Sequence, residues 1–196
     1  MSLPEPTEPR LRIARLDDDQ SLVRPRSSDS SRPRASDSLA VRSPRLAPFA
    51  MRGLLQELLA AHAARLSMQN ISVTLDVPDH EQVLADRELL GRALAHLVVN
   101  AVEAMPAGGT LVFTSYQGHG LYEIEVADSG PGLADDARRR AFEPRFSTKP
   151  GSAGLGLALV ERIARAHGGA VAAQNCPDGG AAFTLRLPGY ARQAAA

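Results

Sequence analysis

Apolar positions are sparse and irregular up to about residue 45 and become periodic from Pro48 onward. Met51, Leu54, Leu55, Leu58, Leu59 and His62 recur at helical spacing, which places them on one face of a helix. "ISVTLDV" (71–77) alternates apolar with polar and predicts a strand. Asp86 is placed to cap a helix running to about Met105, ended by Pro106 and the Gly108-Gly109 turn. "TLVFTSY" and "LYEIEVAD" alternate on either side of "QGHG" and predict an antiparallel pair. "ADDARRRAF" has the length of a short helix. A further helix from about Leu155 to His167 is stopped by Gly168-Gly169, and "AVAAQN" with "AAFTLRLP" makes a second hairpin.

This order predicts an α+β fold: a two-layer α/β sandwich, with a mixed, mostly antiparallel sheet and about three helices on one face. Residues 46–190 make up the expected domain and 191–196 a flexible C-terminus. Residues 1–45 differ: "SLVRPRSSDSSRPRASDSLAVRSPR" is Ser, Arg, Pro and Asp with few apolar side chains and no aromatics. Such a segment buries too little surface to offset its ordering entropy, which predicts a disordered tail or linker. Acidic residues interspersed among the arginines favour a plain linker over a basic binding arm.

The composition is that of a soluble globular protein, with 44% hydrophobic and 22% charged residues. A formal net charge of zero gives no bulk electrostatic reason to bind nucleic acid or an anionic membrane. No apolar run is long enough to span a bilayer, and the N-terminus has no stretch of signal-peptide length; a cytoplasmic location without membrane contact is expected. Cys176 stands alone, so neither an internal disulfide nor a multi-cysteine metal site is expected. Arginine outnumbers lysine 21 to 1, a background bias that singles out Lys149.

Lys149 belongs to "FSTKPGSAGLGLALVERIARAHGG", a glycine-rich loop running into an apolar helix. Helix N-termini present free N–H groups and partial positive charge, so such loops commonly hold phosphate. Two common versions fail here. The spacing from Gly151 to Gly156 suits a Walker loop, but Leu157 and Ala158 follow where Lys and Ser/Thr belong. A dinucleotide fingerprint requires a preceding strand, which is absent. Four segments together fit better. "HLVVNAVEA" puts Asn100 on a helix with His96 and Glu103 on the same face. "DSGPG" puts Asp128 at a strand end, with Gly130 and Gly132 allowing close backbone approach. "FEPRFSTK" supplies aromatics and a cation, and "GSAGLGLA" the helix N-terminus.

These four boxes, in order and spacing, resemble the ATP-binding domain of sensor histidine kinases, in the superfamily shared with gyrase, mismatch-repair and heat-shock chaperone ATPases. The resemblance covers about residues 46–190. "NAVEAMPAGG", "FEPRFSTK" and "HGG" are most similar to the nitrogen-regulation type of kinase. It implies ATP and Mg²⁺ as cofactors, with Asn100 as the Mg²⁺ ligand and Asp128 accepting from the adenine amino group. It assigns Gly130, Gly132 and Leu133 to the adenine side and Gly151, Gly154, Leu155 and Gly156 to the phosphate side. Thr148 and Lys149 fall in a lid fastened by Phe142 and Phe146, with Arg145 as an additional phosphate contact. Lys149, Glu103 and His96 are the implied catalytic candidates. As bare sequence, Asp128 also reads as a turn former and Lys149 as a solvated loop lysine.

Three departures qualify the resemblance. Hydrolytic members of the superfamily carry a glutamate where this chain has His96. The last hairpin often begins Gly-Thr in the family, but here Gly180-Ala181. No histidine has the setting of a phosphoacceptor: His62 lacks an acidic neighbour and a downstream proline, His80 sits in a strand connection, His119 in a turn and His167 at a helix end. The acceptor is therefore expected on a histidine-containing dimerisation domain outside this chain, with a response regulator downstream and this chain a monomer. Two other readings stand beside this one: a nucleotide-binding regulatory module without phosphotransfer, and a serine kinase of the anti-sigma-factor type.

Overall fold

A computed structural model describes residues 39–149 and 151–189. The expectations for residues 1–38 and 191–196 lie outside the described residues. In chain order the elements are β1 (Ala47–Ala50), α1 (Met51–Met68), β2 (Ile71–Asp76), β3 (Gln82–Ala85), α2 (Arg87–Ala104), β4 (Gly109–Gly118), β5 (Leu121–Asp128), α3 (Asp135–Arg140), α4 (Gly156–Ala166), β6 (Ala170–Asn175) and β7 (Ala181–Pro188).

The main sheet has five strands in the order β2-β4-β5-β7-β6. Only β2 and β4 run parallel; the other pairs are antiparallel. Strand side chains alternate between faces. In this register Leu111, Phe113, Tyr122, Ile124, Val126, Phe183 and Leu185 therefore share one side, and all are buried. Leu54 and Leu55 of α1, Leu94 and Leu97 of α2, and Leu159 and Ile163 of α4 join them in a single core. The three helices thus form one layer on one face of a mixed sheet. The opposite face carries Glu123, Glu125, Thr184 and Arg186, where Arg186 Nε pairs with Glu123 at 2.7 Å.

Two features differ from the sequence reading. Residues 47–50 and 82–85 form a separate antiparallel ribbon, β1 with β3, where a bare connection was expected. Each strand is only four residues long, too short for alternation to signal it. The folded unit also reaches back to Leu39, so residues 39–45 pack on the domain rather than belonging to the tail. Leu39 is buried, and its carbonyl accepts a hydrogen bond from Arg162 Nη1 at 3.1 Å. Three prolines and polar neighbours concealed this one anchored leucine in a window average.

Asp86 holds this arrangement together. It caps α2, accepting the Leu89 N–H at 3.0 Å, and also accepts the Arg45 N–H at 2.7 Å and a two-pronged contact from the Arg42 guanidinium. Its own N–H donates to His167 Nε2 at 3.0 Å, while His167 Nδ1 donates to the Ile163 carbonyl. One residue therefore joins the preceding strap, the start of α2 and the end of α4. The carboxyl is held well below its ordinary value, chiefly by the Arg42 hydrogen bond, with burial opposing.

A depressed carboxyl contributes stability that is fully present above its unfolded pKa and lost as pH falls through the folded value. Asp86→Ala is expected to lower the unfolding free energy by about 1–2 kcal/mol at neutral pH. Its stability should also fall less steeply than wild type below about pH 4. Urea unfolding followed by circular dichroism at pH 7 and pH 3 checks both.

Candidate functional site

A cleft of about 690 Å³ opens at the end of the main sheet where β5 stops, walled by α2, the residues after α3 and the start of α4. That volume suits a nucleotide-sized ligand. The sheet register places Asp128 at the mouth. It is the last residue of β5, opposite Leu111 and Ala181, and so lies on the helix-facing side. Its residue exposure is 6%, and its Oδ1 accepts the Gly130 N–H at 2.9 Å. Burial pushes the carboxyl above its ordinary value, while N–H groups of Gly130 and Ala181 and the charge of Lys149 oppose the rise. A desolvated carboxylate with spare lone pairs is a strong acceptor for a ligand N–H.

Helix α2 lines one wall with His96, Asn100 and Glu103, which its period stacks on one face. Burial, followed by the nearby charge of Arg92, lowers the His96 imidazole below its ordinary value. His96 Nδ1 lies against Gly156, the first residue of α4; a Cβ there would sit 3.2 Å away. Leu155 occupies the N-cap of α4 and supplies no side-chain cap bond. The unpaired N–H groups of that first turn therefore carry their partial positive charge to the cleft wall.

The loop from Phe142 to Gly154 forms the remaining wall. Its neck is closed by the Arg145 N–H donating to the Gly154 carbonyl at 2.8 Å. Phe142 stands edge-on to Phe183 at 6.5 Å, and the Arg140 guanidinium lies 4.3 Å from the Phe146 ring centre. Lys149 Nζ pairs with Glu103 Oε2 at 2.7 Å across the rim.

Of the residues singled out from sequence, His96, Asn100, Glu103, Asp128, Gly132 and Leu133 line this cleft, as do Thr148, Lys149, Gly154, Leu155 and Gly156. Gly151 instead lines a smaller crevice with Glu103, Lys149 and Ser152. Gly130 is outside the lining and acts through the hydrogen bond to Asp128. Arg145 is exposed and also outside the lining, its backbone at φ +68°.

One participant had no sequence signal. Asn175, at the end of β6, accepts the Leu133 N–H at 2.7 Å and donates its amide to the Leu133 carbonyl at 2.9 Å. It thus binds the loop after Gly132 as a neighbouring strand would. An asparagine before Cys-Pro-Asp-Gly-Gly reads as an ordinary turn residue, and only the tertiary contact reveals it.

Residues 85–191 match the family model described as histidine kinase-, DNA gyrase B-, and HSP90-like ATPase. Sensor-like histidine kinase SenX3 of Mycolicibacterium smegmatis is 35% identical over 157 residues, 77% of this chain and 41% of its own length. The nucleotide-free catalytic domain of histidine kinase ThkA matches with a TM-score of 0.67 at 27% identity, over 74% of this chain and 95% of that one. ThkA in complex with response regulator protein TrrA matches with a TM-score of 0.65 at 25% identity, over 76% of this chain and 43% of that one. Full-length ShkA in complex with AMPPNP matches with a TM-score of 0.64 at 35% identity, over 73% of this chain and 31% of that one. The matched part of the chain therefore spans about two fifths of the length of a curated relative such as SenX3.

The β6–β7 turn must come close to Asp128, which yields a steric test. Gly179 and Gly180 share φ +96°, yet a Cβ at Gly179 meets nothing within 4 Å while one at Gly180 overlaps the Asp128 carbonyl. Gly179→Ala should cost about 1–2 kcal/mol from backbone strain alone. Gly180→Ala should cost clearly more and displace Asp128. Thermal unfolding of the two variants side by side checks this; equal costs would mean that the turn is not pressed against the site.

Proposed function

The chain belongs to the family of histidine kinase-, DNA gyrase B- and HSP90-like ATPases, and on that premise we propose that it is the Mg-ATP-binding catalytic domain of a two-component sensor histidine kinase. The observation that carries this reading is the polarity of the cleft. A buried acceptor, Asp128, stands at the sheet end, and Asn100, the uncapped start of α4 and Lys149 line the same cleft.

Asp128 accepts from the adenine amino group. Guanine presents a carbonyl there and would leave two acceptors facing each other, so the same contact selects the base. The first-turn N–H groups of α4 and the Lys149 ammonium receive the phosphates. Among the described residues no group of three or more His, Cys, Asp or Glu is arranged to hold a metal. A Mg²⁺ ion would therefore enter with the phosphates, and the Asn100 amide oxygen is a fitting neutral ligand for a hard cation that keeps most of its waters. When bound, Mg²⁺ offsets phosphate charge in the loose transition state of phosphoryl transfer.

The nucleophile is a histidine nitrogen on a separate dimerisation domain. Its N–P bond forms as the bond between the γ-phosphorus and the bridging oxygen breaks, and ADP leaves. His96, beside the start of α4, contributes polarity without an added carboxylate charge. A response regulator then receives the phosphate, in keeping with the ThkA–TrrA complex. No helix among the described residues is long and apolar enough to cross a membrane. A bacterial, cytoplasmic setting goes with this reading.

Calorimetric titration with Mg-ADP and Mg-ATP should show micromolar binding by wild type. Asp128→Asn should weaken it about 10- to 100-fold, the worth of a hydrogen bond to a charged group. Asn100→Ala should weaken Mg-ATP while leaving adenosine binding nearly unchanged. With a histidine-containing dimerisation domain added in trans, acid-labile phosphate should appear on that partner. Wild type that binds no nucleotide would overturn the proposal. Acid-stable phosphoserine would turn it to a serine kinase, and binding without transfer to a regulatory module.

A further inference from the structure

The lid has a firm base and a single outside tether at its tip. Its base is held by the Arg145–Gly154 backbone bond and by Arg140 over Phe146. Nearer the tip, the side-chain hydrogen bonds of Ser147 and Ser152 stay within the lid. Among the described residues, the tip's one side-chain bond to the rest of the domain is Lys149 Nζ to Glu103 Oε2, at 2.7 Å. The two side chains are 39% and 38% exposed, so the pair sits at the rim, partly desolvated and open to exchange. On its other side the same carboxylate faces Arg65 of α1, with Glu103 Oε1 3.9 Å from Arg65 Nη2. Glu103 lies three positions past Asn100 on the wall of the cleft, so an anionic ligand held along Asn100 enters next to it.

Resting on the nucleotide reading above, we propose that Glu103 competes with the phosphates of a bound nucleotide for Lys149 and thereby grades nucleotides by phosphate number. The lid lysine exchanges its salt bridge from Glu103 to the phosphate chain, and Arg65 retains the released carboxylate. Without Arg65 the exchange would leave a bare glutamate beside a polyanion. With it, each anion keeps a cation. An exposed pair contributes little, so the exchange is reversible and opposes triphosphate binding by only a few-fold. Adenosine brings no anion to the rim and leaves the pair intact.

The test combines lid dynamics and a double-mutant cycle on the full chain. Without nucleotide, hydrogen exchange of the amides at 147–149 and 151–153 should speed up about two- to fivefold in Glu103→Gln and in Lys149→Met. The double variant should show no further increase, because either change breaks the same pair. With nucleotide, Glu103→Gln should tighten Mg-ATP about two- to fivefold and leave adenosine unchanged. Simple repulsion between Glu103 and phosphate would also tighten Mg-ATP, and it is unaffected or strengthened when Lys149 is absent. The exchange therefore requires that the gain from Glu103→Gln be smaller in the Lys149→Met background than in wild type. An equal or larger gain there overturns the proposal, as does lid exchange unchanged by either single variant. If wild type binds neither adenosine nor Mg-ATP, the nucleotide reading itself fails, and the hydrogen-exchange arm still reports on the pairing.

Discussion

The distance between α2 and α4 is the constraint on which the site depends, and Asp86 with His167 sets it. The carboxylate of Asp86 ends α2 from the front, and its N–H is taken by an imidazole fixed to the last turn of α4. The two helices then pack along their buried faces, Leu94 and Leu97 joining Leu159 and Ile163 in one core. Because α2 carries His96, Asn100 and Glu103 and α4 begins at Gly156, this tie joins two of the helices that wall the cleft. A buried polar junction is costly when half made, since each unpaired group then keeps its desolvation penalty. Asp86 uses its N–H and its carboxylate accepts from three residues, so the junction has one satisfied geometry rather than several.

The walls of the cleft are built in different ways. At the sheet end, Asp128 is fixed by its place in β5, by the Gly130 N–H and by the close approach of Gly180, while Asn175 fastens the neighbouring loop through both polar atoms of Leu133. On the proposed reading, base discrimination would need an acceptor that does not move, and burial raises the cost of leaving Asp128 unpaired. Elsewhere along the same cleft the donors are the start of α4 and one lysine on a loop. On the same reading, phosphate charge tolerates small displacements, so a point charge on a flexible stem would be adequate for it.

The family relation and the length of the chain bear on activity together. The ATP-binding features are contained within residues 85–191, the span the family model matches. The curated relatives extend well beyond it. Phosphoryl transfer needs a nucleophile held in line, and positioning supplies much of the rate. On the proposed reading, the chemistry of this domain depends on the partner that presents the acceptor.

Periodicity and turn chemistry determined most of the elements: the leucine face of α1, the Asp86 cap, the glycine stops after α2 and α4, and the alternating strands β4, β5, β6 and β7 were legible because each is set by neighbours within a few residues. The layered α+β class followed from their order, and the four boxes marked Asn100, Asp128 and the glycines because each box is local. The tertiary structure alone decided the pairings across the chain. His167 reads as a helix end, yet it accepts from Asp86, 81 residues away. Asn175 reads as a turn residue and Leu39 as part of a polar tail, yet one anchors Leu133 and the other lies in the core. Lys149 stood out by its rarity, but its partnership with Glu103 could not be read, since nothing in a lid's sequence states which anion it reaches. Local residues set conformation through backbone sterics and short hydrogen bonds, whereas long-range partners are chosen by the packing of the whole domain.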